Sequence, residues 1–141
     1  MTPMTRDEYR AFVGSGTRTA KLATTRQDGR PHAVPVWFVM DGDDLLFTTG
    51  TQSVKGRTIR RDPRVAACVD EERPPYAFVL VEGTATIISD PDEVLDLATR
   101  CAARYMGEDL AAEYGMRNSG EGKIAVRITP SKIVAEAAVV E

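Results

Sequence analysis

Residues able to bind an anion are concentrated in one stretch of the sequence, 48–64, which reads TTGTQSVKGRTIRRDPR. An apolar strand candidate precedes this stretch, and a short helix is predicted over 51–61 with Ser53 as its N-cap. The free amides of the first helical turn, the positive end of the helix dipole, the Ser53 hydroxyl and the Lys55 ammonium would then converge. This pattern predicts a site for a phosphate monoester or diester.

The same helix carries arginines farther along. They fall at i, i+3, i+4 and i+7, at Arg57, Arg60, Arg61 and Arg64, which predicts one guanidinium stripe. Such a stripe could extend the phosphate site toward a longer polyanionic tail, and it could equally be a solvated basic face. Residues 51–64 contain five basic residues against one acid, whereas the whole chain has a net charge of −3. The negative net charge of the whole chain argues against a protein whose surface is built to bind nucleic acid.

A second candidate segment, 30–40, has the sequence RPHAVPVWFVM. It is predicted as one long apolar strand, but Pro35 cannot donate a ladder hydrogen bond, so it marks an edge, a bulge or an opening of the sheet. At an open edge the backbone of residues 34–37 could bind the polar rim of a flat heterocycle, with Trp37 or Phe38 supplying apolar surface. The alternative is a barrel corner packed against a helix.

A self-sufficient catalytic set is missing from the sequence. His32 is the single histidine, it has no metal-ligating neighbours, and glycine-rich phosphate loops of the dinucleotide-binding and P-loop types are absent. Cys68 and Cys101 lie among apolar residues and are predicted to be buried, reduced thiols, as in cytoplasmic proteins. No apolar run approaches the roughly 18 residues of a membrane span, and residues 1–10 do not resemble a signal peptide. We therefore expect a cytoplasmic protein without a membrane span, whose reactivity would come from a bound cofactor.

Short strands and a few helices make up the predicted elements. Strands are expected at 17–25, 30–40, 45–49, 65–70, 77–88, 123–129 and 132–140. Helices are expected at 5–13, where Thr5 and Glu8 form a capping box, at 51–61, at 91–106 with Asp90 as N-cap, and more weakly at 109–116. The chain of 141 residues is predicted to be one domain, residues 1–141. Six or seven antiparallel strands with two or three helices predict a mainly β (α+β) fold, a small barrel decorated by helices.

Six short segments of the sequence occur in a characteristic order along the chain. They are Leu22–Pro31, Thr48-Thr49, Ser53-Val54-Lys55, Arg60–Arg64, Val81-Glu82-Gly83 and Ile128–Ile133. Their order and spacing resemble the flavin-type split-barrel superfamily, which includes pyridoxamine 5′-phosphate oxidases and deazaflavin-dependent reductases. The resemblance covers nearly the whole chain from Thr5. It implies a six- to seven-stranded antiparallel split β-barrel that forms a homodimer, with the cofactor groove between the subunits.

The resemblance also implies which residues hold a cofactor. The ring system would lie against Val34, Pro35, Val36 and Trp37. The phosphate would be held by Thr48, Thr49, Gly50, Ser53 and Lys55. An anionic tail would meet Arg60 and Arg61, and Tyr76 and Phe78 would face the groove of the same subunit or of the partner. No catalytic side chain and no metal ligand is assigned.

Three departures from the oxidase pattern favour one branch of the superfamily. Pyridoxamine phosphate oxidases typically carry arginine where Val54 stands, glutamine where Phe78 stands, and a C-terminal Trp and Arg that the sequence to Glu141 lacks. The arginine-rich segment is more similar to reductases that use coenzyme F-420, a deazaflavin whose phosphate leads into a lactyl-oligoglutamate tail. The expectation is therefore an F-420H2-dependent reductase acting on an enone, quinone or tetrapyrrole. The alternatives are an FMN-dependent oxidoreductase and a non-catalytic flavin- or haem-binding protein.

Overall fold

A computed structural model describes residues 1–139, and in this range it contains eight strands and four helices. The strands are β1 (Thr2–Pro3), β2 (Ala20–Thr25), β3 (Pro31–Val36), β4 (Val39–Asp41), β5 (Asp44–Gly50), β6 (Arg64–Glu71), β7 (Ala77–Ile88) and β8 (Lys123–Ala137). The helices are α1 (Arg6–Gly14), α2 (Val54–Arg61), α3 (Pro91–Met106) and α4 (Glu108–Arg117). None of these helices is long and apolar enough to cross a membrane.

All eight strands form one antiparallel sheet in the order β3-β2-β6-β7-β8-β5-β4, with β1 added on β8. The two end strands, β3 and β4, are neighbours in sequence and are separated only by Trp37 and Phe38. Three Cα–Cα steps from Val36 to Val39 span at most about 11 Å, so the two ends of the sheet must come together. The sheet therefore curls into a barrel, and the predicted split barrel is confirmed. The described residues form eight strands and four helices, rather than the expected six or seven strands and two or three helices. We call the Trp37–Phe38 link the seam.

The prediction of one strand over 30–40 is wrong, because this segment forms two strands at opposite ends of the sheet. β3 pairs with β2, and β4 pairs with β5. The chain must leave one end of the sheet and enter the other at the seam, where Phe38 is fully buried. Pro35 lies near the end of β3, and β3 has a strand neighbour only in β2. Of the edge, bulge or opening of the sheet that Pro35 was expected to mark, the described strands show an edge.

The C-terminal part of the prediction is also corrected, since one strand, β8, which ends at Ala137, replaces the two strands expected at 123–129 and 132–140. Pro130 is accommodated at a register shift against Glu82 and Gly83 of β7, beyond the last residue of β8 that pairs with β5, Ile128. Gly83 is required there because a Cβ would lie 2.5 Å from the Thr129 carbonyl oxygen. Val140, the predicted end of the last strand, lies outside the described residues.

The helices agree closely with the sequence pattern. The Thr5–Glu8 capping box is present at α1, and Asp90 caps α3 by accepting from the Glu93 amide at 3.0 Å. On α3 the side chains of Val94, Ala98, Cys101 and Ala102 are buried, and Tyr105 on the same face is half-buried. The barrel interior is filled by strand residues together with side chains of α1 and α2, and a smaller cluster lies under α3. Cys68 is half-buried rather than buried, and both cysteines are free thiols.

Arg104 of α3 holds the seam against the segment that follows α1. Its guanidinium donates hydrogen bonds to four backbone carbonyls, those of Val13 (2.9 Å), Ser15 (3.2 Å), Gly16 (2.9 Å) and Phe38 (2.8 Å). The same guanidinium lies 4.6 Å from the centroid of the Phe38 ring. These four carbonyls lie at the end of α1, just after it and in the seam, where no strand ladder offers them a hydrogen bond. The Arg104 cation therefore satisfies acceptors that would otherwise need water.

We predict that Arg104→Met lowers the free energy of unfolding by about 3 kcal/mol, because hydrogen bonds to a charged donor contribute roughly 1.5–3 kcal/mol. Equilibrium urea unfolding measures this value. Arg100→Met is the matched control on the same helix, because Arg100 makes only a 4.0 Å ion pair with Asp96, and its loss should cost less than about 0.5 kcal/mol. Equal destabilisation by the two substitutions would contradict the role of Arg104 at the seam.

Candidate functional site

A cavity of about 370 Å³ opens beside the seam. The end of β3, the end of β5, the first turn of α2, the α3 helix, the end of α4 and the start of β8 all contribute to its wall. The lining residues are Pro35, Val36, Trp37, Thr48, Thr49, Lys55, Ala98, Cys101, Asn118 and Lys123. The cavity wall therefore combines the flat apolar ring of Trp37 with the ammonium groups of Lys55 and Lys123.

Two segments that the sequence singled out separately meet in this cavity. Pro35, Val36 and Trp37 come from the proposed ring-binding segment, while Thr48, Thr49 and Lys55 come from the proposed phosphate-binding segment. Barrel closure explains the meeting, because the seam leads from the end of β3 to β4, which pairs with β5. Their role as ligands stays a prediction.

The turn between β5 and α2 positions Lys55. Ser53 is the N-cap, and its Oγ accepts from the Gly56 amide at 3.0 Å and donates to the Gly50 carbonyl at 2.9 Å. A Cβ on Gly56 would lie 2.3 Å from the Gly50 carbonyl oxygen, so only glycine allows this close approach. The amides of Val54 and Lys55 are in the first turn, where a helix offers no carbonyl partner.

The hydroxyl groups of this turn are used within it. The Thr49 Oγ1 lies 3.0 Å from the Ser53 Oγ, and because the Ser53 hydrogen is directed at Gly50, Thr49 is the donor of that contact. Ser53 and Gly50 do not line the cavity. In this arrangement they shape the turn, while the groups free to meet an anion are the Lys55 ammonium, the Thr48 hydroxyl and the first-turn amides.

Lys123 is a second cation at the site, and the sequence reasoning missed it. It is paired with Gly50 across β5 and β8, and the adjacent Thr51 amide donates to the Gly122 carbonyl at 2.9 Å. Burial, followed by the charge of Lys123, lowers the pKa of the Lys55 ammonium. Within residues 1–139 neither lysine forms an ion pair with a carboxylate. Two unpaired ammonium groups that repel each other favour an anion between them. No sequence signal linked the start of β8 to this turn.

Trp37 forms the apolar wall, and its orientation is fixed by stacking. The Tyr105 ring lies parallel to the indole, with 5.3 Å between centroids and an interplanar angle of 3°, and Tyr114 lies at a tilt 6.5 Å away. The Tyr105 hydroxyl accepts from the Phe38 amide at 3.3 Å. Phe38 itself is fully buried, so the proposal that it could offer a surface to a ligand is wrong, and Trp37 alone of the pair reaches the cavity.

The remaining wall supplies no group with catalytic character. Burial raises the pKa of the Cys101 thiol to about 11, so it stays protonated at neutral pH and is not a nucleophile. Ala98 and Asn118 complete the wall from α3 and the end of α4. No group of three His, Cys, Asp or Glu residues within residues 1–139 could hold a metal ion. His32 lies on β3 outside the cavity, paired with Thr24.

Other predicted site residues lie elsewhere. Val34 lies one strand position before the cavity, Arg61 lines a different cavity, and Arg60 is exposed on α2. Tyr76 directly precedes β7, and Phe78 is the second residue of that strand. Neither contributes to the two cavities, so their place in a groove between subunits stays a prediction.

The four-arginine stripe is corrected at its last member. Arg64 belongs to β6 and not to α2, and its guanidinium binds Asp62 at 2.8 and 3.0 Å. The stripe on the helix is therefore limited to Arg57, Arg60 and Arg61.

Comparison with known proteins places this site in a family. The chain matches the pyridoxamine 5′-phosphate oxidase family profile over residues 5–134. An F-420H2-dependent biliverdin reductase of Mycobacterium tuberculosis (strain CDC 1551 / Oshkosh) is 34% identical over 102 residues, which cover 70% of this chain and 71% of the relative.

Solved structures agree with this family. The conserved hypothetical protein Rv2991 of Mycobacterium tuberculosis superposes with a TM-score of 0.84 at 26% identity, covering 96% of this chain and 86% of that protein. A structure described as an F-420 reductase superposes with a TM-score of 0.66 at 26% identity, covering 84% of this chain and 90% of that protein. The chain therefore belongs to the pyridoxamine 5′-phosphate oxidase family of split-barrel proteins, and within it is related to F-420-dependent reductases.

Proposed function

We propose that this protein is an oxidoreductase that uses the reduced deazaflavin coenzyme F-420 to reduce an electron-poor small organic molecule. One observation carries the proposal: a flat apolar wall at Trp37 and a pair of unpaired ammonium groups, Lys55 and Lys123, share one cavity. A planar ring joined to a phosphate through a short chain has the matching distribution of chemistry. The 34% identical relative is named as an F-420H2-dependent reductase, which supports the deazaflavin over other flavins.

Each part of the cavity has a task in this proposal. The backbone of 34–37 on the outer edge of β3 would hold the ring, since β2 is the only strand paired with β3 among the described residues. Lys55, Thr48 and Lys123 would hold the phosphate. Ser53 and Gly50 would not contact the phosphate but would hold the turn that positions Lys55. Thr49 would support this turn by its hydrogen bond to Ser53. A charge-assisted contact of this kind fixes position as well as adding affinity.

When bound, the reduced deazaflavin would supply a hydride. The protein would bind and orient both reactants and limit access of water to the reacting faces. In this proposal the two lysine ammonium groups of the cavity are assigned to the phosphate, and the Cys101 thiol is buried with a pKa of about 11. Solvent is therefore the proposed proton source.

Substrate and assembly are further parts of the proposal. An enone, a quinone or a tetrapyrrole would accept a hydride, and the name of the biliverdin reductase relative makes biliverdin the first compound to test. We propose a homodimer in which Tyr76 and Phe78 face the groove, formed by a single domain over residues 1–141 and located in the cytoplasm. Tyr76 is an exposed aromatic residue, as such a contact requires.

An FMN-dependent oxidoreductase is the second candidate, and the family itself favours it because its profile is that of pyridoxamine 5′-phosphate oxidases. A flavin phosphate would suit the same two lysines. Val54 is exposed at the start of α2 and stands where those oxidases typically carry an arginine, and this departure makes FMN the weaker candidate. A non-catalytic flavin- or haem-binding protein would show retention of a ligand without turnover.

A parallel titration of the purified protein with F-420 and with FMN tests the proposal. We expect F-420 to bind more tightly and with a shifted visible absorption, and reduced F-420 to be oxidised when biliverdin, a quinone or an enone is added. Tighter retention of FMN would reject the deazaflavin assignment. Binding of F-420 without turnover of any of the three substrate types would indicate that the protein is a non-catalytic carrier and not an enzyme.

The two ammonium groups make a second prediction. Lys55→Gln and Lys123→Gln should each weaken the binding of F-420 by about 10- to 100-fold, because a hydrogen bond to a charged group contributes roughly 1.5–3 kcal/mol. Fluorescence titration of the coenzyme measures the change. Lys132→Gln is the control, since Lys132 is an exposed lysine of β8 whose nearest acid is Glu82 at 4.0 Å. If all three variants bind alike, the phosphate does not lie between Lys55 and Lys123.

The lowered pKa of Lys55 predicts how binding depends on pH. Burial and Lys123 lower this pKa, and a bound phosphate would raise it, so affinity should decrease as pH rises through the lowered value and the ammonium loses its proton. Lys123→Gln removes the repulsion and should move the onset of this decrease to higher pH. Titrations at a series of alkaline pH values measure both curves, and an onset that moves to lower pH would contradict the pairing of the two lysines.

A further inference from the structure

Lys55 lies in an environment that differs from that of an ordinary surface lysine. It is half-buried on the first turn of α2 and lines the cavity beside the seam together with Lys123. No carboxylate is among the described residues that line this cavity. The Lys55 nitrogen therefore lies where a positive charge is incompletely solvated and is repelled by a second cation.

Both features favour the neutral amine of Lys55 over its ammonium form. Burial, followed by the positive charge of Lys123, lowers the pKa of Lys55, because each of them destabilises the charged form. The neutral amine carries a lone pair that attacks a carbonyl carbon, whereas the ammonium does not. Burial beside another cation is one of the ways in which proteins convert a lysine into a nucleophile.

The other lysines of the chain have a different environment. The chain contains four lysines in all. Lys21 is paired with Asp70 at 2.9 Å, and Lys132 lies 4.0 Å from Glu82, so a carboxylate favours the ammonium form of each. Lys123 is exposed at the start of β8, where water solvates its charge. Each of these three ammonium groups thus has a carboxylate or water to stabilise it.

The cavity supplies the other contacts that a carbonyl compound would need. The flat ring of Trp37, which is parallel to that of Tyr105, offers a surface on which a planar ring can stack. The Lys123 ammonium attracts an anionic group of the same molecule. The Thr48 hydroxyl and the Asn118 amide also line the cavity and are able to donate to a carbonyl oxygen. These contacts describe a planar aldehyde that carries an anionic group.

We infer that the Lys55 amine is a nucleophile that condenses reversibly with a planar aldehyde bearing an anionic group. The amine nitrogen attacks the carbonyl carbon, and a C–N bond forms. The carbonyl oxygen then leaves as water together with the two protons of the amine, which gives an imine and consumes no oxidant or reductant. The reaction uses the cavity proposed for the coenzyme, occurs in the absence of the coenzyme and does not depend on the proposed redox activity.

Reductive trapping with 4-carboxybenzaldehyde tests this inference. The purified protein is incubated with the aldehyde at neutral pH without added coenzyme, imines are reduced with cyanoborohydride, and mass spectrometry of the digested protein locates the label. We expect about tenfold more label on Lys55 than on Lys21 or Lys132, because a larger fraction of Lys55 is the free amine. Equal labelling of the three lysines, or no label on Lys55, overturns the inference.

Lys55→Arg separates the amine from the charge, because arginine keeps a cation but does not form an imine under these conditions. The label on α2 should be lost, and the total label on the protein should decrease accordingly. Lys132→Arg is the matched control, and it should leave the labelling of Lys55 unchanged. A total label that is the same in wild type and Lys55→Arg would contradict the inference. Circular dichroism checks that both variants are folded.

Lys123→Gln gives an independent reading, because it removes both the repulsion on Lys55 and the partner of the anionic group. Labelling of Lys55 by 4-carboxybenzaldehyde, measured relative to Lys132, should decrease about tenfold. Labelling by benzaldehyde, which lacks the anionic group, should decrease less. Unchanged labelling of Lys55 by both aldehydes in this variant would also overturn the inference.

The labelling experiment and the coenzyme titration fail independently. Labelling is measured without coenzyme, so selective labelling of Lys55 supports the inference even if neither F-420 nor FMN binds. Unselective labelling of a protein that binds and oxidises reduced F-420 overturns the inference and leaves the proposed function intact.

Discussion

Closure of the sheet at a two-residue link is the constraint on which the rest of the structure depends. β3 and β4 are at opposite ends of an antiparallel sheet, yet only Trp37 and Phe38 separate them along the chain. A link of that length forces the sheet to curl, and it places one aromatic side chain inside the barrel and the other at its mouth. The candidate cavity exists because the two ends of the sheet meet there.

Helix α3 stabilises the closed sheet beside the seam. α3 supplies Arg104, which satisfies four carbonyls at the corner beside the seam, and Tyr105, which stacks on Trp37. An indole fixed in this way is a preformed wall, so little conformational entropy is lost when a ring binds next to it. A small barrel that supplies walls and cations need not carry its own nucleophile or base, provided that a cofactor supplies the reactivity.

Charge is organised around α2 rather than spread over the protein. The helix presents lysine to one cavity and arginines to another, while the acids nearest the arginines are bound to other residues. Lysine is a compact charge and arginine a planar fork, so the two sides of the helix differ in chemistry. A modest net charge of −3 conceals this arrangement, because the chain carries its acids elsewhere.

Local interactions explain what could be read from the sequence alone. The Thr5, Ser53 and Asp90 caps and the extent of α3 depend on neighbours within a few residues, and the disruption expected at Pro35 depends on its own missing N–H. The ordered motifs additionally indicated the barrel, which the structure confirms, and they led to the proposals of a ring-binding segment at 34–37 and a phosphate-binding turn before α2. These predictions needed no knowledge of which strands are paired.

Only the tertiary structure decided the features that join distant parts of the chain. The pairing of β8 with β5 brings Lys123 next to Lys55. The hairpin turn between β2 and β3 brings Arg26 next to α2. Arg64 is not part of the arginine stripe, because it is the first residue of a strand. A periodic pattern records which face of an element is apolar, but not which element lies opposite, since strand pairing is set by closure of the whole sheet. For this reason the sequence alone determined the elements and the kind of site, and folding decided which cations share each cavity.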